Sequence, residues 1–234
     1  MQQPEYNCNL PRINEPAPMF SASSTHGTVR LTDYAGKWLL LFSHPADFTP
    51  VCTSEFIAFA RYSPDFAKLN CALLGLSVDS NYAHMAWVLN IKEKFGVDIE
   101  FPIIEDVSLK VAQTYGMIMQ GASTTAAVRA TFLIDPHGII RAMVYYPLSN
   151  GRSVSEFLRL LHALQATDSS YVATPENWMP GEPAIVPPPQ TVKEAKEIQA
   201  SDPTAIAWYY REARIPSAAH QARLPLLPRT DNNG

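Results

Sequence analysis

Apolar runs alternate with amphipathic segments over most of the chain. The run Trp38–Ser43 predicts a buried central strand, and residues 71–78 are so continuously apolar that they predict a strand covered on both sides. Between them, residues 52–69 predict a helix, because apolar side chains recur on one face. A second helix is predicted over 82–95 and ends at Gly96. This alternation predicts a sheet layered with helices.

Shorter segments predict the later part of the sheet. A short strand over 101–104 is followed by a short helix over 109–115. Residues 129–134 and 139–146 predict two strands, because the Asp-Pro-His-Gly sequence between them has a typical turn composition. This hairpin makes the predicted sheet mixed. A further helix is predicted over 153–166, where the first residues have the spacing of a capping box.

The composition changes after about residue 168. Half of the 20 prolines lie between Pro175 and Pro228, and one helix, predicted over 192–200, interrupts that stretch. A segment of this kind buries little of itself, so we expect it to pack against another surface. The sequence therefore predicts one domain over 1–168 and a smaller, proline-rich C-terminal domain over 169–234.

Charge and hydropathy exclude several classes of function. The 234 residues are 47% hydrophobic and 17% charged, with a net charge of −4, as in ordinary globular proteins. No dense run of lysine and arginine is present, which argues against nucleic acid or an anionic membrane as a partner. Residues 1–20 are polar and no apolar run approaches membrane-spanning length, so a cytoplasmic location is expected.

The spacing of the cysteines and histidines predicts neither a metal site nor a disulfide framework. Three cysteines, Cys8, Cys52 and Cys71, are too few and too unevenly spaced for a framework. A Cys-x-x-Cys pair is absent, because Glu55 stands where the second thiol would be. The six histidines lack the spacing of metal ligands. We therefore expect neither a metal nor another cofactor.

The most informative segment joins the first strand to the first helix. Its sequence is Pro45-Ala-Asp-Phe-Thr49-Pro-Val-Cys52, and Cys52 falls in the first helical turn. A thiol there faces main-chain N–H groups without helical partners, at the positive end of the helix dipole. This environment favours the thiolate, which is the reactive form. Thr49 adds a hydroxyl group. Pro45 borders the entrance to the site and has no main-chain N–H that would compete as a hydrogen-bond donor.

This segment resembles the peroxiredoxin motif Pro-x-x-x-Thr/Ser-x-x-Cys at Pro45, Thr49 and Cys52. The resemblance continues over 128–136, 150–152 and 172–181. It is closest to the 1-Cys type of the AhpC/TSA family, which has a long C-terminal domain, and to archaeal and bacterial members. The resemblance implies an α/β, thioredoxin-like fold with a mixed central sheet flanked by helices.

The resemblance also implies a peroxidase that acts on hydrogen peroxide and organic hydroperoxides. Cys52 becomes the nucleophile and passes through a sulfenic acid. Thr49 and the main-chain N–H groups near Val51 hold the peroxide, while Pro45 shapes the pocket. Arg129 stabilises the thiolate and orients the substrate, since its guanidinium offers several donors in one plane.

Three further positions carry alternatives. Arg152 and Glu55 are candidates for an ion-pair network that fixes Arg129, or else they are surface charges. His44 either lines the pocket, meets the reductant, or has a purely structural role. Cys71 is expected to be an inert buried thiol, and Cys8 a free surface thiol.

No cysteine follows Cys71, so the resemblance implies a 1-Cys cycle in which an external thiol reduces the sulfenic acid. In long-tailed relatives the C-terminal domain packs on the partner subunit, which implies a homodimer and possibly a ring of dimers. Two rival functions stay open on the same fold. A thiol–disulfide oxidoreductase is disfavoured without Cys-x-x-Cys, whereas a redox relay or holdase chaperone is compatible with the sequence.

Overall fold

The computed structural model describes residues 10–201 and 205–215. Cys8 lies outside these ranges. The chain divides into two compact units after Val154, whereas composition predicted a boundary at residue 168. The last helix of the predicted first domain thus belongs to the C-terminal unit. No helix within the described ranges combines the length and apolar character needed to cross a membrane.

The N-terminal unit is built on one mixed sheet of seven strands. In chain order the strands are β1 (Ser21–Ser24), β2 (Gly27–Arg30), β3 (Trp38–Ser43), β4 (Cys71–Ser77), β5 (Ile103–Glu105), β6 (Arg129–Ile134) and β7 (Ile140–Tyr146). Their order across the sheet is β2-β1-β5-β4-β3-β6-β7. β3, β4 and β5 pair in parallel, and every other neighbouring pair is antiparallel. The predicted mixed sheet is confirmed.

Three α-helices and one 3₁₀ turn lie among the described residues of this unit. They are the 3₁₀ turn Leu31–Tyr34, α1 (Pro50–Lys68), α2 (Asn81–Phe95) and α3 (Lys110–Thr114). α1 begins at Pro50 rather than Cys52, because the fixed φ of proline suits the first helical position. α2 ends at Gly96 as predicted, with that glycine in the left-handed region at φ 66°.

The β1–β2 hairpin is not recognisable from the hydrophobic pattern. Each strand has four residues, and Ser24 and Val29 are the buried ones. Two strands that bury one residue each lack the alternation that identifies a strand in sequence.

The register of the sheet places the end of β3 beside the start of β6. β3 pairs antiparallel with β6, and Phe42 lies opposite Thr131. The hydroxyl of Ser43 donates to the carbonyl of Val128 at 2.6 Å and accepts from the N–H of Ala130 at 3.1 Å. The end of β3 and the start of β6 therefore lie side by side. Arg129 consequently enters beside the turn that leads from β3 to α1.

Aromatic packing fixes α1 on this edge of the sheet. The rings of Phe42 on β3 and Phe59 on α1 stack with centroids 4.0 Å apart. Phe56 lies 5.3 Å from Phe42, and all three side chains are fully buried. Aromatic pairs at these separations add to the free energy of burial. The first turns of α1 are thus held against the strand that precedes them.

The C-terminal unit has a small core of its own. Its elements are α4 (Val154–Ser169), β8 (Ala184–Val186), α5 (Val192–Ser201) and β9 (Arg211–Ala213). β8 and β9 form a two-stranded antiparallel sheet that the sequence did not predict, because each strand has three residues. Trp178 is buried against Ala163, Ala184 and Ile215, and its indole N–H donates to the carbonyl of Glu182 at 3.1 Å.

Candidate active site

Cys52 occupies the third position of α1 and is fully buried. The first hydrogen bond of the helix runs from the N–H of Thr53 to the carbonyl of Thr49, at 2.9 Å. The N–H groups of Val51 and Cys52 precede that bond and have no partner within the helix. They place positive partial charge around the sulfur.

The turn Pro45–Thr49 leads directly into this helix. Thr49 is the N-cap residue, and its hydroxyl donates to the carbonyl of Ala46 at 2.8 Å. Because the hydroxyl proton is committed to that carbonyl, the oxygen lone pairs of Thr49 are available to accept a hydrogen bond from a substrate. Phe48 adopts φ 55°, a left-handed conformation that L-residues rarely take. Pro45 is partly exposed at the start of the turn.

Arg129 reaches the thiol from the first position of β6. Its Nη1 lies 3.4 Å from Cys52 Sγ. Its Nε and Nη2 both donate to the carbonyl of Leu148, at 2.9 and 2.8 Å. The residue is only 2% exposed, so it is not a surface charge at a strand end. A permanent positive charge therefore faces the sulfur in a site shielded from water.

Glu55 holds two guanidinium groups at once. Its Oε2 accepts from Arg129 Nη1 at 2.7 Å and from Arg152 Nη2 at 2.8 Å. Its Oε1 accepts from the N–H and the Nε of Arg152, at 2.7 and 2.8 Å. Burial raises the pKa of Glu55, but the hydrogen bonds and charge of Arg152, with the charge of Arg129, outweigh it and hold the pKa below its ordinary value.

Arg152 completes a buried network. Its Nη1 donates to the carbonyl of Ala130 at 2.8 Å, and its guanidinium lies 5.4 Å from the centroid of the Phe42 ring. Arg152 and Glu55 are 6% and 2% exposed. This burial excludes the surface-charge alternative for both residues. The structure brings together Cys52, Arg129, Glu55 and Arg152.

A glycine permits the close approach of this network to α1. A Cβ added to Gly151 would lie 3.3 Å from Cγ1 of Val51 and 3.9 Å from Cγ of Glu55. The first of these distances is tighter than ordinary van der Waals contact. The lack of a side chain at Gly151 therefore lets the loop before Arg152 pack against the first turn of the helix.

His44 is fully buried at the end of β3. Its Nε2 forms a 2.8 Å hydrogen bond with Asp47 Oδ1, and its Nδ1 has no hydrogen-bond partner among the described residues. Burial is the main reason why the pKa of His44 lies below its ordinary value, although the hydrogen bond and charge of Asp47 oppose it. In this conformation His44 is not accessible to an external reductant.

Asp47 and His84 were not recognised from the sequence. Asp47 Oδ2 lies 2.7 Å from His84 Nδ1, and both side chains are buried. A signal for His84 was present, since it shares the buried face of α2 with Trp87 and Ile91 at helical spacing. Asp47 carried no pattern beyond its position inside the motif.

These three side chains are also the group, within the described part of the chain, whose donor atoms could hold a metal ion. The ligand atoms of His44, Asp47 and His84 lie within 4.8 Å of one another. Hydrogen bonds between the carboxylate and both rings already account for this arrangement. The site around Cys52 thus offers nucleophilic chemistry that is supported by donors and a fixed positive charge.

Matches to known families cover both units. Residues 13–143 match the AhpC/TSA family, and residues 163–200 match the C-terminal domain of 1-Cys peroxiredoxin. The chain belongs to the AhpC/TSA family of peroxiredoxins. Peroxiredoxins are thiol peroxidases, so this protein is an oxidoreductase, and the resemblance identified from the motif is confirmed.

Similar peroxiredoxins occur in bacteria and archaea. A peroxiredoxin of Aquifex aeolicus is 51% identical over 88% of this chain and 98% of its own length. A peroxiredoxin of Methanosarcina mazei is 49% identical over 80% of this chain and 89% of its own.

Solved structures confirm the predicted thioredoxin-like peroxiredoxin fold. Yeast mitochondrial 1-Cys peroxiredoxin has a TM-score of 0.75 and 40% identity, covering 87% of this chain and 99% of its own. A mutant of peroxiredoxin 6 from Arenicola marina has a TM-score of 0.77 and 34% identity, covering 88% of this chain and 98% of its own.

Proposed function

We propose that this peroxiredoxin reduces hydrogen peroxide and small organic hydroperoxides through a sulfenic acid on Cys52, in a 1-Cys cycle. The observation that carries the proposal is the 3.4 Å approach of Arg129 Nη1 to a fully buried Cys52 sulfur. A guanidinium at this distance stabilises a thiolate and can donate to a peroxide oxygen bound beside it.

The chemical step follows from the donors and acceptors around the sulfur. The thiolate of Cys52 attacks one peroxide oxygen, so that an S–O bond forms while the O–O bond breaks. The proton of the attacked oxygen passes to the departing oxygen, which leaves as water, or as an alcohol from an organic hydroperoxide, and the sulfenate left on Cys52 takes a proton from solvent to give the sulfenic acid. Arg129 and the main-chain N–H of Val51 stabilise the developing negative charge, and the Thr49 hydroxyl oxygen accepts a hydrogen bond from the bound peroxide. Pro45 shapes the entrance.

An external thiol completes the cycle. It attacks the sulfenic acid and releases water, which leaves a mixed disulfide on Cys52. A second thiol then attacks the sulfur of the first thiol, forms a disulfide with it and releases the Cys52 thiolate. Cys71 is a poor resolving group, because burial in β4 raises its pKa to about 12, and no cysteine follows it in the chain. The yeast mitochondrial relative is described as having a thiol resolving mechanism via glutathione and thioredoxin systems, which supports an external reductant here.

A homodimer, possibly extended to a ring of dimers, belongs to the same proposal. Support comes from the match of residues 163–200 to the 1-Cys C-terminal domain. We assign the C-terminal domain, predicted over 169–234, a role in dimerisation. The apolar side chains of Tyr82, Met85 and Leu89 lie exposed along α2 at helical spacing. A cytoplasmic location and a role in redox homeostasis complete the proposal, supported by the bacterial and archaeal relatives.

The test is peroxide consumption by the pure protein with dithiothreitol as the electron donor. The wild type and Cys71→Ser are expected to consume hydrogen peroxide at similar rates, whereas Cys52→Ser is expected to be inactive. Cys8→Ser should also retain most of the activity. Loss of turnover in the Cys8 variant, together with an intermolecular disulfide on a non-reducing gel, would contradict the 1-Cys cycle.

A further inference from the structure

The buried cluster of Asp47, His44 and His84 ties the peroxide-binding turn to the rest of the unit. Both carboxylate oxygens of Asp47 are engaged, with His44 Nε2 at 2.8 Å and His84 Nδ1 at 2.7 Å. The N–H of Asp47 donates to Asp79 Oδ2 at 3.0 Å. Because Asp47 lies in the middle of the turn Pro45–Thr49, these bonds connect the turn to α2 and to the loop after β4.

The two ring nitrogens of His84 both contact oxygen atoms of other elements. Its Nε2 lies 3.2 Å from the main-chain carbonyl of Ile104, and a carbonyl oxygen can only accept. Its Nδ1 faces the carboxylate of Asp47. Both ring nitrogens of His84 therefore face acceptor oxygens, an arrangement that suits two N–H donors.

The carboxylate form of Asp47 is consistent with its surroundings. Burial raises the pKa of Asp47, but the hydrogen bonds with His44 and His84 outweigh burial and hold the pKa below its ordinary value. The Nε2 of His44 then donates to the same carboxylate, which leaves His44 neutral with an unprotonated Nδ1. Each oxygen of the buried Asp47 carboxylate thus has a histidine partner, which offsets the cost of burying its charge.

The backbone conformation of the turn Pro45–Thr49 requires support from neighbouring residues. Phe48, next to Asp47, adopts the left-handed φ of 55° while its side chain is 57% exposed. A residue with a Cβ keeps this conformation only where its surroundings enforce it. Exposure of the Phe48 ring leaves little packing to do so, whereas the side chain and N–H of its neighbour Asp47 are both held.

We propose that Asp47 and His84 are positioning residues for the peroxidase reaction. As a buried charge pair they hold the turn Pro45–Thr49, and with it the Thr49 acceptor and the first turn of α1, in the geometry that the peroxide requires. They act through the turn and not on the sulfur. This inference rests on the proposed function of Cys52 and adds two residues to it.

The test compares two reactions of Cys52 in the full-length protein. Oxidation by hydrogen peroxide requires the positioned donors and acceptors, whereas alkylation by iodoacetamide requires only an accessible thiolate. In Asp47→Ala the second-order rate constant with peroxide is expected to fall about 100-fold, since a displacement of about 1 Å has effects of this size. The alkylation rate is expected to stay the same or to rise.

The matched control is Asp106→Ala. Asp106 is also buried, but it accepts from the N–H groups of Val111 and Ala112 at the start of α3. Its loss should lower the melting temperature without changing the ratio of the two rates. Asp47→Asn supplies a conservative rescue, because the amide can accept from His44 and donate to a neutral His84. At least a tenfold recovery of the peroxide rate over the alanine variant is expected.

The charge of His84 is measured separately, by long-range ¹H–¹⁵N spectra of protein labelled at histidine, with His84→Gln for assignment. Both ring nitrogens of His84 are expected to be protonated, and a single protonated nitrogen would refute the charge pair. Equal loss of both rates in Asp47→Ala, or no rescue by asparagine, would show a merely structural role. A wild type that peroxide does not oxidise would instead refute the proposed function itself.

Discussion

Replacement of Glu55 by glutamine tests how the buried arginine network stabilises the protein. The amide oxygen of Glu55→Gln can still accept from the two Arg152 donors that meet Oε1. Its NH₂ group, however, stands where Oε2 accepted from Arg129 and from Arg152 Nη2. Donors then face donors, and two buried guanidinium groups lose their common negative charge.

The expected cost follows from these contacts. Two charge-assisted hydrogen bonds are lost, each worth about 1.5–3 kcal/mol, and removal of one partner of a buried ion pair costs about 3–5 kcal/mol. The Glu55 side chain is 1% exposed, so water does not screen the loss. For a chain of this size, a loss of about 3–5 kcal/mol lowers the melting temperature by about 6–20 °C.

The assay is thermal unfolding of the reduced protein, followed by circular dichroism. Glu93→Gln is the matched control, because Glu93 pairs with Lys94 on the surface and is 66% exposed. This control is expected to change the stability by less than about 0.5 kcal/mol. A melting temperature of Glu55→Gln within about 2 °C of the control would refute the reasoning, since each lost kcal/mol should show as about 2–4 °C.

Three further predictions concern the same unit. Since the pKa of Glu55 lies below its ordinary value of 4.5, its contribution to stability is complete above that value and is lost as the pH falls through the folded-state pKa. In denaturant unfolding, the difference in free energy of unfolding between the wild type and Glu55→Gln should therefore become smaller below about pH 4.5. Cys71, whose pKa burial raises to about 12, should stay a thiol and resist iodoacetamide in the native protein at about pH 8 but react once unfolded. Labelling of native Cys71 would contradict this raised pKa. Gly151→Val should cost about 1–3 kcal/mol in chemical denaturation, because its side chain meets Val51; an unchanged midpoint would show that the loop yields easily.

Strands and helices with long, continuous apolar patterns could be predicted from the sequence, and short polar strands could not. β3 and β6 were placed correctly because six consecutive residues of each are buried. α1 was located by its apolar face, but its start was missed by two residues, since Pro50 can begin a helix. The β1–β2 hairpin and the β8–β9 pair bury too few side chains to leave a periodic signal.

In the site, residues of the local motif could be predicted from the sequence, and contacts between distant residues could not. Cys52 and Thr49 are visible in sequence because a helix N-terminus is a local feature, and the family resemblance added Arg129. The pairing of Glu55 with two arginines depends on residues 74 and 97 positions away, which no local pattern specifies. His84 lies 37 positions from Asp47, and only the fold shows that the two meet.

The most direct test of the central claim is mass spectrometry of the reduced protein after one equivalent of hydrogen peroxide, with dimedone present to trap a sulfenic acid. The account predicts a single dimedone adduct, on the peptide that contains Cys52. When a small thiol is added before dimedone, this adduct is expected to be absent, because the thiol has already reduced the sulfenic acid. An adduct on Cys71 or Cys8, or an unmodified Cys52 after the peroxide has been consumed, would contradict it.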